Sequence, residues 1–281
     1  MSSALYPLVP PFVAVVILLA RLLMDFGYKL GLVDQPNERS SHTKIVPRVG
    51  GLAIFLPYLV LGLSFYLTGY DYLQLNSGYW IGLGAIVALG TLDDRLDLSS
   101  ALKFFIQFAV SAYYVLSTGN YVDNLYGLFG IGTLPAWLGI SLSIITVVYL
   151  INAVNLIDGV DGLAAGISLL ALYLFSTLLG GGEHLITSIF IGLGLIVFMG
   201  FNYSNKRKIF LGDAGSLSLG FIIATFAMEF LYSGNAHHVH LNLNPVIVAI
   251  LILGYPVADT IRVFAIRISL GLSPFNADRR H

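Results

Sequence analysis

Two carboxylates stand side by side at Asp93 and Asp94, in the stretch LDDRLDLSS. Like charges this close resist joint ionisation unless a cation compensates them. Such a pair serves metal binding, general-base chemistry or nucleophilic chemistry, and a solvated helix end is the plain alternative. A second polar run, NAVNLIDGVDG, puts Asn152, Asn155, Asp158 and Asp161 at every third position. On a helix, Asn155 lies near both Asn152 and Asp158. Gly159 and Gly162 are expected to end that helix. Carboxamide and carboxylate oxygens suit Mg²⁺ rather than zinc or copper, although polar residues between membrane helices also act as packing contacts. A third stretch, FLGDAGS, presents Asp213 between glycines before a helix expected to start near Gly215 and Ser216. Free N–H groups there could hold a phosphate while Asp213 holds a metal; capping by Asp213 or Ser216 is the alternative.

Basic residues accompany these acids. The stretch VDQPNERSSHTKIVPRVGG carries Arg39, His42, Lys44 and Arg48, stiffened by Pro36 and Pro47. They could meet lipid headgroups or hold a diphosphate. Lys103 follows shortly after the acidic pair, where it could bind or snorkel. Arg21 and Asp25 are spaced to pair on one helix, as are Asp259 and Arg262. His237, His238 and His240 resemble a metal cluster and read as a solvated loop, remote from the acids.

The elements that must position these groups are membrane helices. The chain has 281 residues, 57% hydrophobic and only 10% charged, with mean hydropathy +0.85. Soluble domains carry roughly 25% charged residues, so this composition excludes both a soluble globule and disorder. A net charge of −1 without a basic tail speaks against nucleic acid, and the absence of cysteine excludes disulfides and thiolate sites. A bilayer core takes about 20 apolar residues per helix, which predicts about nine spans. They run near 7–28, 50–68, 78–92, 100–117, 134–154, 163–180, 185–203, 215–232 and 244–268. The first has no convincing cleavage signal and reads as a retained helix. Connections near 69–77, 118–133, 181–184 and 233–243 hold no Lys or Arg, whereas the alternate set is basic. The positive-inside rule makes the basic set cytoplasmic, with the N-terminus outside and the C-terminus inside. All three acidic stretches then fall on the cytoplasmic side. The expected fold is an all-α polytopic bundle, a single transmembrane catalytic domain over 1–281. A transporter would instead put its carboxylates near the bilayer midplane, and a scaffold would tolerate their loss.

Four stretches together, VDQPNERSSHTKIVPRVGG, LDDRLDLSSALKFFIQ, NAVNLIDGVDGLAAG and FLGDAGSLSLG, resemble the polyprenyl-phosphate N-acetylhexosamine-1-phosphate transferase family. A fifth, SPFNADRRH, resembles the hexosamine branch rather than the phospho-MurNAc-pentapeptide branch. The likeness implies that a polyprenyl phosphate in the cell inner membrane attacks the β-phosphate of a UDP-HexNAc, with UMP leaving, as the first membrane step of a cell-surface glycan. UDP-GlcNAc is the plain donor. The likeness also implies Mg²⁺, with Mn²⁺ as a substitute, and further span(s) beyond His281. By motif, Asp93 and Asp94 match the catalytic pair, and Asp213 and Asn155 match metal ligands. Asp161 matches a position near the uracil ring, with Asp158 beside it. Lys44 and Lys103 match phosphate-binding positions, and Asn202 an asparagine upstream of the GD motif with spacing off by about one residue. Arg48, Asn152, Arg279 and His281 complete the expected substrate contacts. Membrane lipid is the expected surrounding, and a homodimer stays open.

Overall fold

The structure, a computed structural model, describes residues 6–36, 44–68, 76–233 and 243–271. They form ten α-helices: Val9–Leu30 (α1), Gly50–Thr68 (α2), Ser77–Leu96 (α3), Ser100–Thr118 (α4), Ala136–Leu156 (α5), Leu163–Leu178 (α6), Gly182–Asn202 (α7), Asp213–Leu231 (α8), Pro245–Ile252 (α9) and Gly254–Ser269 (α10). Two-residue strands Val33–Asp34 (β1) and Val46–Pro47 (β2) pair antiparallel, Val33 opposite Pro47. Polar side chains punctuate the helices. Asn76 accepts the Gly78 N–H at 2.8 Å to start α3, and Asn244 accepts the Val246 N–H at 2.9 Å to start α9. The protein is an all-α polytopic membrane protein. Six of its helices are each long and apolar enough to cross a bilayer, or seven spans with α9 and α10 counted as one. The short α6 and the more polar α3 are not among them.

The predicted span 244–268 is not one straight helix. It breaks between α9 and α10 with a 72° bend. Pro256 supplies the physical reason: it has no N–H to continue the ladder, and Gly254 just before it is a poor helix former. Asp259 and Arg262 do pair on α10, Nη2 to Oδ1 at 2.6 Å. Arg21 and Asp25 form no ion pair among the described residues.

Helix α8 is the axis of the bundle. It packs against α3 and α5, with α2 and α6 beside them, and is almost wholly buried. Between membrane helices, lipid tails remove most of the hydrophobic drive, so close backbone packing through small residues matters more. The α8 sequence supplies those residues in DAGSLSLG. A Cβ on Gly220 would stand 2.6 Å from the Ile151 Cα of α5.

The same device is tightest where α8 begins. A Cβ on Gly51 of α2 would lie 2.2 Å from the Gly215 nitrogen, and one on Gly90 of α3 would lie 2.4 Å from the Ala214 nitrogen. Ladder-like bonds fix this contact: the Gly50 and Gly51 N–H groups donate to the Phe210 and Leu211 carbonyls at 2.9 and 2.8 Å, and Phe210 N–H donates to the Pro47 carbonyl at 2.8 Å. The first turn of α8 is thus gripped by backbone on two sides.

Gly51→Leu or Gly90→Val should therefore lower the thermal midpoint in detergent by the equivalent of about 1–3 kcal/mol or more, because backbone cannot move aside. Gly84→Ala, also on α3 but with open space at its Cβ, should leave the midpoint equal or slightly higher, since alanine is the better helix former. Equal midpoints for all three would contradict this packing.

Candidate active site

The acidic pair sits in the last turn of α3, with Asp93 and Asp94 only 4% and 6% exposed. Neighbouring helical residues point about 100° apart, so the two carboxylates meet different partners. Asp94 turns to α8. Its Oδ1 accepts the Asp213 N–H and its Oδ2 the Ala214 N–H, each at 3.0 Å. This is an N-cap supplied from another helix. Gly212 makes room for it: φ is +73°, and a Cβ there would lie 2.6 Å from the Asp94 Oδ2.

Asp93 turns to the α3–α4 connection. Its Oδ1 accepts the Leu98 N–H at 2.9 Å, and its Oδ2 accepts the Lys103 ammonium at 2.7 Å. The same ammonium is 4.0 Å from the Asp213 Oδ2. Asp213 Oδ1 accepts the Asn155 amide at 2.9 Å, and that amide also donates to the Ser216 Oγ at 2.8 Å. Asp158, in the 3₁₀ turn that follows α5, lies within electrostatic range of Asp213 and Asp94. The ends of α3, α4, α5 and α8 therefore bring Asp93, Asp94, Lys103, Asn155 and Asp213 together, with Asp158 close by.

Arg48 joins from the stretch after β2. Its guanidinium binds Asp34 of β1 and stands 4.0 Å from the Asp94 Oδ1. Burial opposes its charge, but Asp34 first, then Asp94 and Asp213, more than reverse that and hold its pKa above the ordinary arginine value. Acids still outnumber bases in the cluster. Among the described residues its converging donors are carboxylate and carboxamide groups, with no imidazole, a set that fits a hard divalent cation.

The backbone at the start of α8 differs from the sequence expectation. The helix begins at Asp213 itself, and its N–H groups are not free for phosphate. Asp94 takes those of Asp213 and Ala214, and the Gly212 carbonyl takes those of Gly215 and Ser216. The cause is that the anion at this helix N-terminus is built into the protein.

The remaining expected residues scatter. Asn152 donates to the Gln107 Oε1 at 2.6 Å and to the Val148 carbonyl at 2.8 Å, facing α4 rather than the acids. Asp161 is exposed and binds Lys208, and Asn202 donates to it at 3.3 Å and to the Ile209 carbonyl at 3.0 Å. These three form a separate group beside the start of α6. Lys44 is exposed and makes no hydrogen bond or ion pair among the described residues. Arg279 and His281 lie outside the described residues, as do Arg39, His42, His237, His238 and His240.

Sequence reasoning missed Gln107, Asp34 and Lys208 as site contacts, and it read Ser216 as a capping residue rather than as the partner of Asn155. Gln107 had a signal: a lone amide in an apolar run, four residues after Lys103 and so on the same helix face. Asp34 had none, since only the β1–β2 pairing brings it to Arg48.

Asp94→Asn should lower the thermal midpoint by about 1–3 kcal/mol, because an amide presents an N–H₂ to one backbone donor. Asp213→Asn should leave the midpoint equal or higher, since it removes a charge repelled by Asp93 and Asp94. A larger loss at Asp213 than at Asp94 would reverse these assignments.

Comparison with known proteins agrees with the motifs. The sequence model described as glycosyl transferase family 4 matches residues 77–231, which contain α3 to α8 and all the clustered acids. A Bacillus subtilis (strain 168) protein named "Probable undecaprenyl-phosphate N-acetylglucosaminyl 1-phosphate transferase" is 37% identical over 279 residues, covering 95% of this chain and 72% of its own. Proteins named "Undecaprenyl-phosphate alpha-N-acetylglucosaminyl 1-phosphate transferase" from Yersinia pestis and Escherichia coli (strain K12) are 31% and 32% identical, each covering 90% of this chain and 68% of their own. With the matched region holding the site and the likeness running along nearly the whole sequence, the chain belongs to glycosyl transferase family 4, on its hexosamine-1-phosphate branch.

Proposed function

We propose that the chain transfers N-acetylhexosamine 1-phosphate from a UDP-sugar to a membrane polyprenyl phosphate, giving polyprenyl-diphospho-HexNAc and UMP. The names of its relatives support GlcNAc as the sugar and undecaprenyl phosphate as the acceptor. The observation that carries this reading is the meeting of Asp93, Asn155 and Asp213 from three distant segments at one end of the bundle. The transporter alternative lacks such support, because these groups lie at helix ends rather than halfway along them.

In the proposed reaction an oxygen of the lipid phosphate attacks the β-phosphorus of the donor. The bond from that phosphorus to the bridging oxygen breaks, and UMP leaves with the bridging oxygen. Asp213 and Asn155 would hold Mg²⁺ or Mn²⁺, with Asp93 beside them. The ion, when bound, would supply charge neutralisation at the diphosphate and the leaving phosphate. Lys103 and Arg48 offset the charge of two anionic reactants that would otherwise repel. Asp93 orients the lipid phosphate or takes its last proton; that phosphate is already largely ionised near neutral pH, with its second pKa about 6. Asp94, with both oxygens on the α8 backbone, acts as a positioning residue for Asp213.

The expected setting is the cell inner membrane, crossed nine times, with α3 and α6 included and α9–α10 forming the ninth crossing. The site end carries Lys44, Arg48, Lys103, Lys206, Arg207 and Lys208. The opposite connections carry no Lys or Arg. The positive-inside rule therefore supports a cytoplasmic active site and an external N-terminus.

The test is UMP release in detergent, over a panel of UDP-amino sugars with polyprenyl phosphate. Chelation of divalent ions should abolish release, and Mg²⁺ or Mn²⁺ should restore it. Asp213→Asn and Asp93→Asn should each lose roughly 100-fold or more in kcat, the scale of removing one preorganised charge-stabilising group. Full turnover in either variant would overturn the site.

A further inference from the structure

At the opposite end of the bundle, far from the acids, Glu183, His184 and Glu229 bring one ligand atom each within 4.8 Å of one another. Glu183 and His184 open α7, and Glu229 lies in the last turn of α8. The His184 Nε2 is 3.0 Å from the Glu229 Oε2. Two ligands of a tetrahedral ion at about 2.0–2.1 Å stand roughly 3.3 Å apart, so this spacing suits joint coordination. The imidazole is held in place: it is 4% exposed and meets Phe226 edge-on, with ring centroids 4.9 Å apart.

Charge points the same way. Glu183 benefits from the positive end of the α7 dipole, but Glu229 sits at the negative end of α8, where a carboxylate is disfavoured. The sequence holds no Lys or Arg in 69–76, 119–135, 179–184 or 232–244.

The site is also open. A cavity of about 330 Å³ is walled by Glu183, His184, Glu229 and the turn Gly180–Gly182. Those three glycines have φ of +81°, +84° and +59°, a path that keeps side chains out of the cavity mouth. A smaller cavity of about 100 Å³ shares Glu183 and Glu229 and continues to Tyr79 and Tyr114.

We propose that Glu183, His184 and Glu229 bind a borderline divalent cation, Zn²⁺ in the first instance, tying the start of α7 to the end of α8. One imidazole with two carboxylates is a zinc-type donor set, and the adjoining cavity supplies a water for the fourth position. The hard all-oxygen cluster around Asp213 prefers a different ion, so the two ends of the molecule would hold different metals. This site is independent of the transferase reading.

The experiment titrates Zn²⁺ into metal-free full chain, purified in detergent without a polyhistidine tag, by calorimetry and by thermal shift. Glu229→Gln and His184→Gln are measured alongside. The wild type should bind one zinc ion more than either variant, or bind it at least about tenfold more tightly, and should gain thermal stability that both variants lack. His237, His238 and His240 are present in all three proteins and cannot produce the difference. Mg²⁺-dependent UMP release should persist in both variants, showing that they fold; if the transferase reading itself fails, the zinc comparison still stands. Zinc affinity and thermal shift within twofold across the three proteins would overturn the site. If a variant does not fold, X-ray absorption on zinc-loaded protein with His237, His238 and His240 changed to alanine decides. A shell with one imidazole supports the site, and an all-oxygen shell overturns it.

Discussion

The site depends on one double hydrogen bond, from the Asp94 carboxylate to the first two N–H groups of α8. Each bond joins an ionised acceptor to a helix N-terminus, where both charge assistance and the dipole strengthen it. The bond sets the height and rotation of α8 relative to α3. Asp213, the first residue of α8, therefore stands at a fixed distance from Asp93 on the neighbouring turn. Lys103 and Asn155 can then reach both the acid and its neighbours. Two adjacent aspartates thus divide their contacts: Asp94 caps α8, and Asp93 holds the Leu98 N–H and the Lys103 ammonium.

The grip on α8 by Gly51 and Gly90 complements that bond. Hydrogen bonds fix direction, while backbone contact without intervening side chains fixes distance. Both are needed where anionic groups crowd together, because mutual repulsion among Asp93, Asp94 and Asp213 would otherwise push the helices apart. Arg48 and Lys103 relieve part of that repulsion. Asp213 and Asp94 remain close to one another and to Asp158 with only these two cations between them.

Much of this was legible in the sequence. Hydropathy windows found a helix for each predicted span, because long apolar runs leave a membrane chain few other ways to satisfy its backbone. The motifs located Asp93, Asp94, Asn155 and Asp213 because polar groups at a membrane boundary stand out against apolar neighbours. Other features were not legible, for physical reasons. Asn152 and Asn155 share a spacing that suggests one face, yet α4 claims the first and α8 the second, and spacing alone cannot say which helix lies where. The capping role of Asp94 joins residues 119 positions apart, so no local pattern marks it. The break before Gly254 was overlooked because hydrophobicity continues across it, although Pro256 was the cue.

The bonds from Gly50 and Gly51 to the Phe210 and Leu211 carbonyls bear on the life of the nascent chain. Until the ribosome has delivered the GD turn, α2 has no carbonyls to start against, and Asp94 has no helix to hold. The arrangement of Asp93, Asp94 and Asp213 therefore cannot form before residues 210–214 have been made, whichever helices precede them.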